Sequence, residues 1–283
     1  MALLAASGSA AIAGTSSGGE ARCELPRHTP ERVVVEIIDG ETLLLDDATK
    51  VRLIGALAPS AFDIPTATGF APSTDWPPAQ EAQAALKRLA KGRNVKLAFA
   101  KRRTDRYGRL LAHVFVEDKN GSTWLQGAML SYGQARAYGI PESYDCIDGL
   151  KAAEASARTT RQGLWASPAY QVHSARRNYE LLRLRNTYQL VDGTVIKAQR
   201  TRSGRIYLNF GTNWRTDFSA SIPTSLSRAQ PAWAASLLDL QGKRVRIRGW
   251  ITRRNGPMIE IEDPSQIEQQ VSSDGPLQSA PQQ

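Results

Sequence analysis

Three clusters in the N-terminal half carry side chains suited to anion chemistry: Asp39-Gly40-Glu41-Thr42, then Arg52 running into Gly55-Ala56-Leu57-Ala58-Pro59-Ser60, then Thr104-Asp105-Arg106-Tyr107-Gly108-Arg109. Carboxylates move protons and guanidiniums grip phosphates. Taken singly, each cluster also has an ordinary structural reading. Asp39-Gly40 is a hairpin turn, Asp105 bonds backbone amides, and Arg109 caps its own turn. A second grouping lies further on. Arg200, Arg202 and Arg205 surround Ser203-Gly204, Tyr207, Phe210 and Trp214 follow, and Arg244, Arg246 and Arg248 alternate before Arg253-Arg254. Alternation on a strand puts those three arginines on one face. Arginines interleaved with aromatic rings describe a surface for single-stranded nucleic acid. The alternative is an ordinary soluble domain with arginines on its solvent face. His28, His113 and His173 share no ligand spacing and are assigned no chemistry.

The elements that must position these residues are mostly strands. Residues 33–38, 42–45 and 50–54 read as a three-stranded meander, and 59–78 as a long Pro- and Gly-containing loop. Residues 79–91 have apolar side chains at helical spacing, with Gly92 as the stop. Strands resume at 94–100 and 110–116, followed by helices at 123–132 and 147–161. Residues 171–185 form a basic connecting helix. Beyond them, strands are expected at 188–197, 205–210, 218–222, 244–251 and 258–261, with a helix at 233–240. The resulting division is a leader-like or disordered segment 1–30, a first domain 31–166, a connector 167–187, a basic domain 188–268 and a loose tail 269–283. The fold class is α+β, mainly β with helices: one OB-type barrel followed by a second small OB-like barrel.

In the first domain, the three motifs together with Glu154 and the closing Gly163-Leu164-Trp165 resemble the staphylococcal-nuclease-like, or thermonuclease, family. That resemblance implies an OB barrel that cleaves DNA or RNA phosphodiesters with calcium. It places Glu41 on the first carboxylate ligand, one methylene longer than the family's usual aspartate, and Arg52 and Arg109 on the two phosphate-binding arginines. Leu57 then stands where the family has a second carboxylate ligand, Ala58 where it has a threonine, and Ser60 where it has a glutamate general base. Leucine cannot bind calcium, and serine is a poor base at neutral pH. Asp63 and Glu81 are the carboxylates in the neighbouring loop that can stand in. Tyr132 and Tyr138 can stack on bases or simply pack.

The composition of the 283-residue chain, 41% hydrophobic and 22% charged, is that of a globular protein. Two cysteines and three histidines exclude zinc ribbons and disulfide-dense scaffolds. The net charge of +9 is uneven: residues 31–166 hold 18 basic and 16 acidic side chains, and residues 167–283 hold 16 and 9. A polyanion-seeking surface is therefore expected in the second half. Residues 2–21 are small and weakly apolar, like a signal peptide lacking its charged start, which points to a periplasmic or secreted protein. The alternative is a cytoplasmic protein with a disordered tail. In an oxidising compartment Cys23 and Cys146 can pair.

These observations lead to a nucleic-acid-binding protein, with single strands preferred, whose phosphodiesterase site is degenerate. No cofactor is expected unless that site works, in which case it needs calcium. Two alternatives remain: an active nuclease with replacement carboxylates, and an envelope module that binds a protein partner.

Overall fold

The computed structural model describes residues 23–270, apart from 27–28, 61–62, 64, 67–68, 71–75, 120, 142 and 144. The leader-like residues 1–21, His28, much of the 59–78 loop and the tail beyond 270 lie outside the described residues.

In the first domain the strands are β1 (Arg32–Ile37), β2 (Thr42–Leu45), β3 (Lys50–Leu53), β4 (Asn94–Ala98), β5 (Leu110–Asp118) and β6 (Gly121–Trp124). They pair in the order β3-β2-β1-β4-β5-β6. A parallel pairing of β3 with β5, Val51 opposite Leu110, closes five of them into a barrel. Alternating side chains create its interior, with Val34, Leu43, Leu45, Val51, Leu53, Val95 and Leu97 all buried. Helix α1 (Pro77–Ala90) opens on two prolines, whose missing amides cost nothing in the first turn. It lays Ala82, Ala85, Leu86 and Ala90 against the barrel. Truncating the fully buried Leu86 to alanine would cost about 2–5 kcal/mol. Helix α2 (Leu125–Ser131) starts two residues later than its apolar pattern suggests, because residues 121–124 pair with β5 instead. Helix α3 (Ile147–Thr159) completes the unit. A disulfide joins Cys23 to Cys146, 123 residues apart, and ties the first described residues to the start of α3.

The connector is not one helix. His173–Ser174 runs parallel to the first strand of the second domain, and only α4 (Asn178–Arg183) is helical. The amide of Ala175 bonds Asp192 O, which commits that stretch to sheet. The second domain contains β7 (Tyr188–Thr194), β8 (Lys197–Arg200), β9 (Ile206–Asn209), β10 (Ser219–Ile222), β11 (Arg244–Arg254) and β12 (Gly256–Glu260). They form a curved, barrel-like sheet in the order β7-β11-β12-β10-β9-β8. Val191, Ile206, Leu208, Ala220, Ile247 and Ile259 fill its interior. Ile267–Gln269 pairs with β11, so Gln269, the first residue assigned to the tail, belongs to the sheet.

The two domains are bolted together by buried polar groups. Glu154 on α3, 0% exposed, accepts from the Ala137 amide at 2.9 Å and from Arg248 Nη1 and Nη2 on β11 at 3.2 and 2.8 Å. Arg248 also donates to Ala137 O at 3.0 Å and to Glu268 Oε1 at 2.7 Å. Burial alone would raise the Glu154 pKa, but the charge and hydrogen bonds of Arg248, aided by Arg158, hold it below the ordinary carboxylate value. An aromatic cluster runs alongside: Tyr188 meets Tyr138 edge-on at 5.3 Å and Trp250 at 5.9 Å.

Candidate functional site

The β1–β2 turn presents the first motif. Asp39 Oδ1 accepts from the Glu41 amide at 2.8 Å, which fixes the turn. At Gly40 a Cβ would lie 2.7 Å from that of Ala82 and 2.8 Å from that of Ala58. No larger residue lets the hairpin tip sit this close to α1. Glu41 therefore projects toward β3, where Arg52 Nε donates to its Oε1 at 2.7 Å and the Ala58 amide to its Oε2 at 3.3 Å. Burial raises the Glu41 pKa above 4.5, and the neighbouring Arg52 only partly opposes it.

Arg109 stands across the same cleft. Its Nε donates to Asp105 Oδ2 at 2.7 Å and its Nη1 to Thr42 Oγ1 at 2.9 Å. Asp105 also accepts from the amides of Tyr107 and Arg109, so it is a turn-former that aims the arginine. Leu57 lies on the short strand Ala56–Leu57, paired with Arg136–Ala137, and packs against the apolar cluster between the domains. Ser60 is bonded to Asp63 through its amide (3.1 Å) and its hydroxyl (3.2 Å). Asp63 in turn accepts from Tyr170 Oη at 3.1 Å and lies 3.5 Å from Arg136 Nη2.

Asp39, Glu41, Arg52, Leu57, Ser60, Asp63, Asp105 and Arg109 line one cleft of about 780 Å³. Glu41, Arg52, Arg109, Leu57, Ser60 and Tyr138, scattered over nearly a hundred positions, are thus brought together in one cleft. Asp63 joins them, whereas the exposed Glu81 on α1 does not line the cleft. Two wall residues had no signal in the sequence. Trp250 and Glu262 come from the second domain, and only its docking brings them to the cleft.

The charge of the cleft is nearly balanced. Arg52, Arg102, Arg106 and Arg109 face Asp39, Glu41, Asp63, Asp105 and Glu262. These carboxylates do not form a calcium cage. Among the described residues, the only His, Cys, Asp and Glu trio with ligand atoms within 4.8 Å of one another is Cys23, His113 and Cys146, and its sulfurs are joined in the disulfide. Calcium takes six to eight oxygens. Here Glu41 is already paired with Arg52, and Leu57 offers none, so the donor set does not fit the ion.

The arginines expected to form a nucleic-acid surface on the second domain are dispersed. Arg246 and Arg248 are 9% and 1% exposed, so neither faces solvent. Arg246 forms a forked pair with Asp192 at 2.7 and 2.8 Å, and Arg248 is the interdomain bolt. The three share a face, but at Arg246 and Arg248 that face is covered by the first domain and by the partner carboxylates. Arg244 is exposed on the same strand, and Arg202 is exposed on the turn before β9. Arg205 donates to Glu260 Oε2 at 2.6 Å.

The cleft residues fall within a recognisable family match. Residues 50–167 match the family model described as staphylococcal nuclease homologue. The chain carries a staphylococcal-nuclease-like domain. A thermonuclease of Staphylococcus hyicus is 28% identical to it over 138 residues, 47% of this chain and 75% of the relative. An uncharacterized protein of Methanocaldococcus jannaschii is 28% identical over 147 residues, 47% of this chain and 70% of the relative. The nuclease-like match includes Arg52, Leu57, Ser60 and Arg109 but starts beyond the Asp39–Thr42 turn. In the nuclease-like domain no described helix is long and apolar enough to cross a membrane, and the same holds for the rest of the described chain.

Proposed function

We propose that this protein binds nucleic acid, with single strands preferred, and that its phosphodiesterase site no longer turns over. The observation that carries this reading is the closed state of Glu41. Its two oxygens are taken by Arg52 and the Ala58 amide, and Leu57 and Ser60 flank it where the thermonuclease pattern has a metal carboxylate and a base. Losing the base forfeits about 100- to 10,000-fold in rate, and losing the metal removes several kcal/mol of charge stabilisation besides. Arg109, steered by Asp105, still presents a guanidinium to a phosphate. The Cys23–Cys146 disulfide and the weakly apolar start of the chain support residence in an oxidising compartment, periplasmic or secreted.

One observation favours an active nuclease instead. Asp63 places its carboxylate on Ser60, beside the position of the missing base. Labelled single- and double-stranded DNA and RNA, titrated with the full chain in calcium or in chelator, separates the two. Retention without product is expected. Calcium-stimulated cleavage that disappears in Asp63→Asn and in Arg109→Ala would hand the case to the nuclease.

A further inference from the structure

The nearly balanced charge of the cleft leaves open where a polyanion finds its main hold, and a second cavity supplies an answer. Strands β8, β9, β10 and β12 stand in register so that Lys197 faces Asn209, Gln199 faces Tyr207, Asn209 faces Ser219, and Ser219 faces Met258. The residues between them, Ala198, Ile206, Leu208, Ala220 and Ile259, point into the core. The outer face is therefore polar and aromatic, and it floors a cavity of about 690 Å³. This lies within the size range of small-ligand pockets, about 300–1,000 Å³.

Lys197 and Arg254 line it, and no carboxylate does. Asn209 and Ser219 are each 7% exposed, and neither side chain has a hydrogen-bond partner among the described residues. Their polar atoms are not sealed off but open onto the cavity, so the pair is free to bond a ligand that enters it. Trp214 rises over the rim, 53% exposed, with the Arg215 guanidinium 4.6 Å from its ring centroid. Its loop is rigidly built. Asp217 accepts from the Asn213 amide and from Asn178 Nδ2, both at 2.9 Å, and a Cβ at Gly211 would collide with the Asp217 carboxylate. A ring held ready in this way loses little freedom on binding.

We propose that this pocket holds an unpaired nucleotide of a single-stranded nucleic acid: the base against Trp214 and Tyr207, its edge bonded by Asn209 and Ser219, and the flanking phosphates on Lys197 and Arg254. The proposal rests on the reading of the chain as a nucleic-acid binder and names the site that reading lacks. A duplex keeps its bases stacked inside and cannot offer one to a concave site, which is why the occupant is a single strand.

The test is fluorescence anisotropy with the full chain, using a labelled 12-nucleotide oligothymidylate, an abasic strand of equal phosphate count and a 12-base-pair duplex. Trp214→Ala is expected to weaken oligothymidylate binding about 5- to 100-fold, the range that stacking of one base supports, and Trp214→Phe to restore most of it. The double variant Lys197→Ala/Arg254→Ala should lower the salt slope by about 1.4, roughly 0.7 per phosphate contact on a single strand. Duplex binding should change less than threefold in both, and thermal unfolding should match the parent. If the parent binds the single strand and both variants bind it equally well, the pocket assignment is wrong while the nucleic-acid reading stands. An abasic strand held as tightly as oligothymidylate would remove the base from the pocket. If the parent binds none of the three probes, the nucleic-acid reading itself fails and takes the pocket with it.

Discussion

Replacing Arg248 by methionine keeps the bulk of the side chain between the domains but leaves Glu154 buried with only Arg158 and the Ala137 amide as partners. Breaking a buried pair by removing one member costs about 3–5 kcal/mol, because the remaining charge stays desolvated. Arg158, itself partly exposed, places the expected loss near the lower end. At about 2–4 °C per kcal/mol for a chain of this size, the midpoint should fall by roughly 6–12 °C at pH 7. The pH dependence should also change sign for this group. In the parent, Glu154 is held below 4.5, so its contribution is full above that pH and is lost as acid titrates it through the lower folded value. In Arg248→Met, burial prevails and raises that pKa, so the variant regains stability as the pH falls toward protonation of Glu154. Thermal unfolding of parent and variant from pH 3.5 to 7.5 gives the difference curve. The double variant Glu154→Gln/Arg248→Met removes both charges and should recover part of the loss. A variant that melts with the parent at pH 7, or a double variant no more stable than the single one, would refute the view of this pair as the bolt between the domains.

The remaining predictions concern the disulfide, the cleft and a buried histidine. Reducing the Cys23–Cys146 bridge should lower stability by at most about 5 kcal/mol, the chain-entropy limit for so long a loop, and melting with and without reductant measures it. The triple variant Glu41→Asp/Leu57→Asp/Ser60→Glu should gain calcium-stimulated cleavage of single-stranded DNA that the parent lacks; a parent already as active would contradict the degenerate site. Burial pushes the His113 pKa down to about 4, so stability present above pH 6.5 should drain away as the pH falls toward 4, by about 3 kcal/mol in all. Chemical denaturation across that window should show the slope in the parent and a shallower one in His113→Phe.

The barrel strands were legible because each is half buried, so that Val34, Leu43, Val51 and Val95 announce themselves by alternation and type. The cleft is legible in part through its motifs: Glu41, Arg52 and Arg109 lie far apart in the sequence and converge once the barrel closes. Arg248 shows where such reading stops. Alternation assigns a residue to a face but does not say whether that face meets water or another domain, and here it meets Glu154. Asp63 and Glu81 were both candidates to stand in, and only tertiary folding sets Asp63 in the cleft lining and Glu81 outside it. The connector misled for a related reason. Its charges suit a surface helix, yet pairing with Val191 and Asp192 outweighs that preference over residues 173–174. Trp250 and Glu262 belong to the cleft through docking alone, which no local pattern encodes.

The Glu154–Arg248 contact also bears on how the molecule divides. A cut near residue 166 follows the family match, yet it would strip Glu154 of its strongest partner and bare Tyr138, Leu57 and Trp165, which now pack beside Tyr188 and Leu190. The segment that matches the family therefore ends inside a packed apolar seam and not at a bare surface. Chains shortened at that point should keep the barrel's own core but expose an apolar seam to water, and the second domain acts as the lid on that seam.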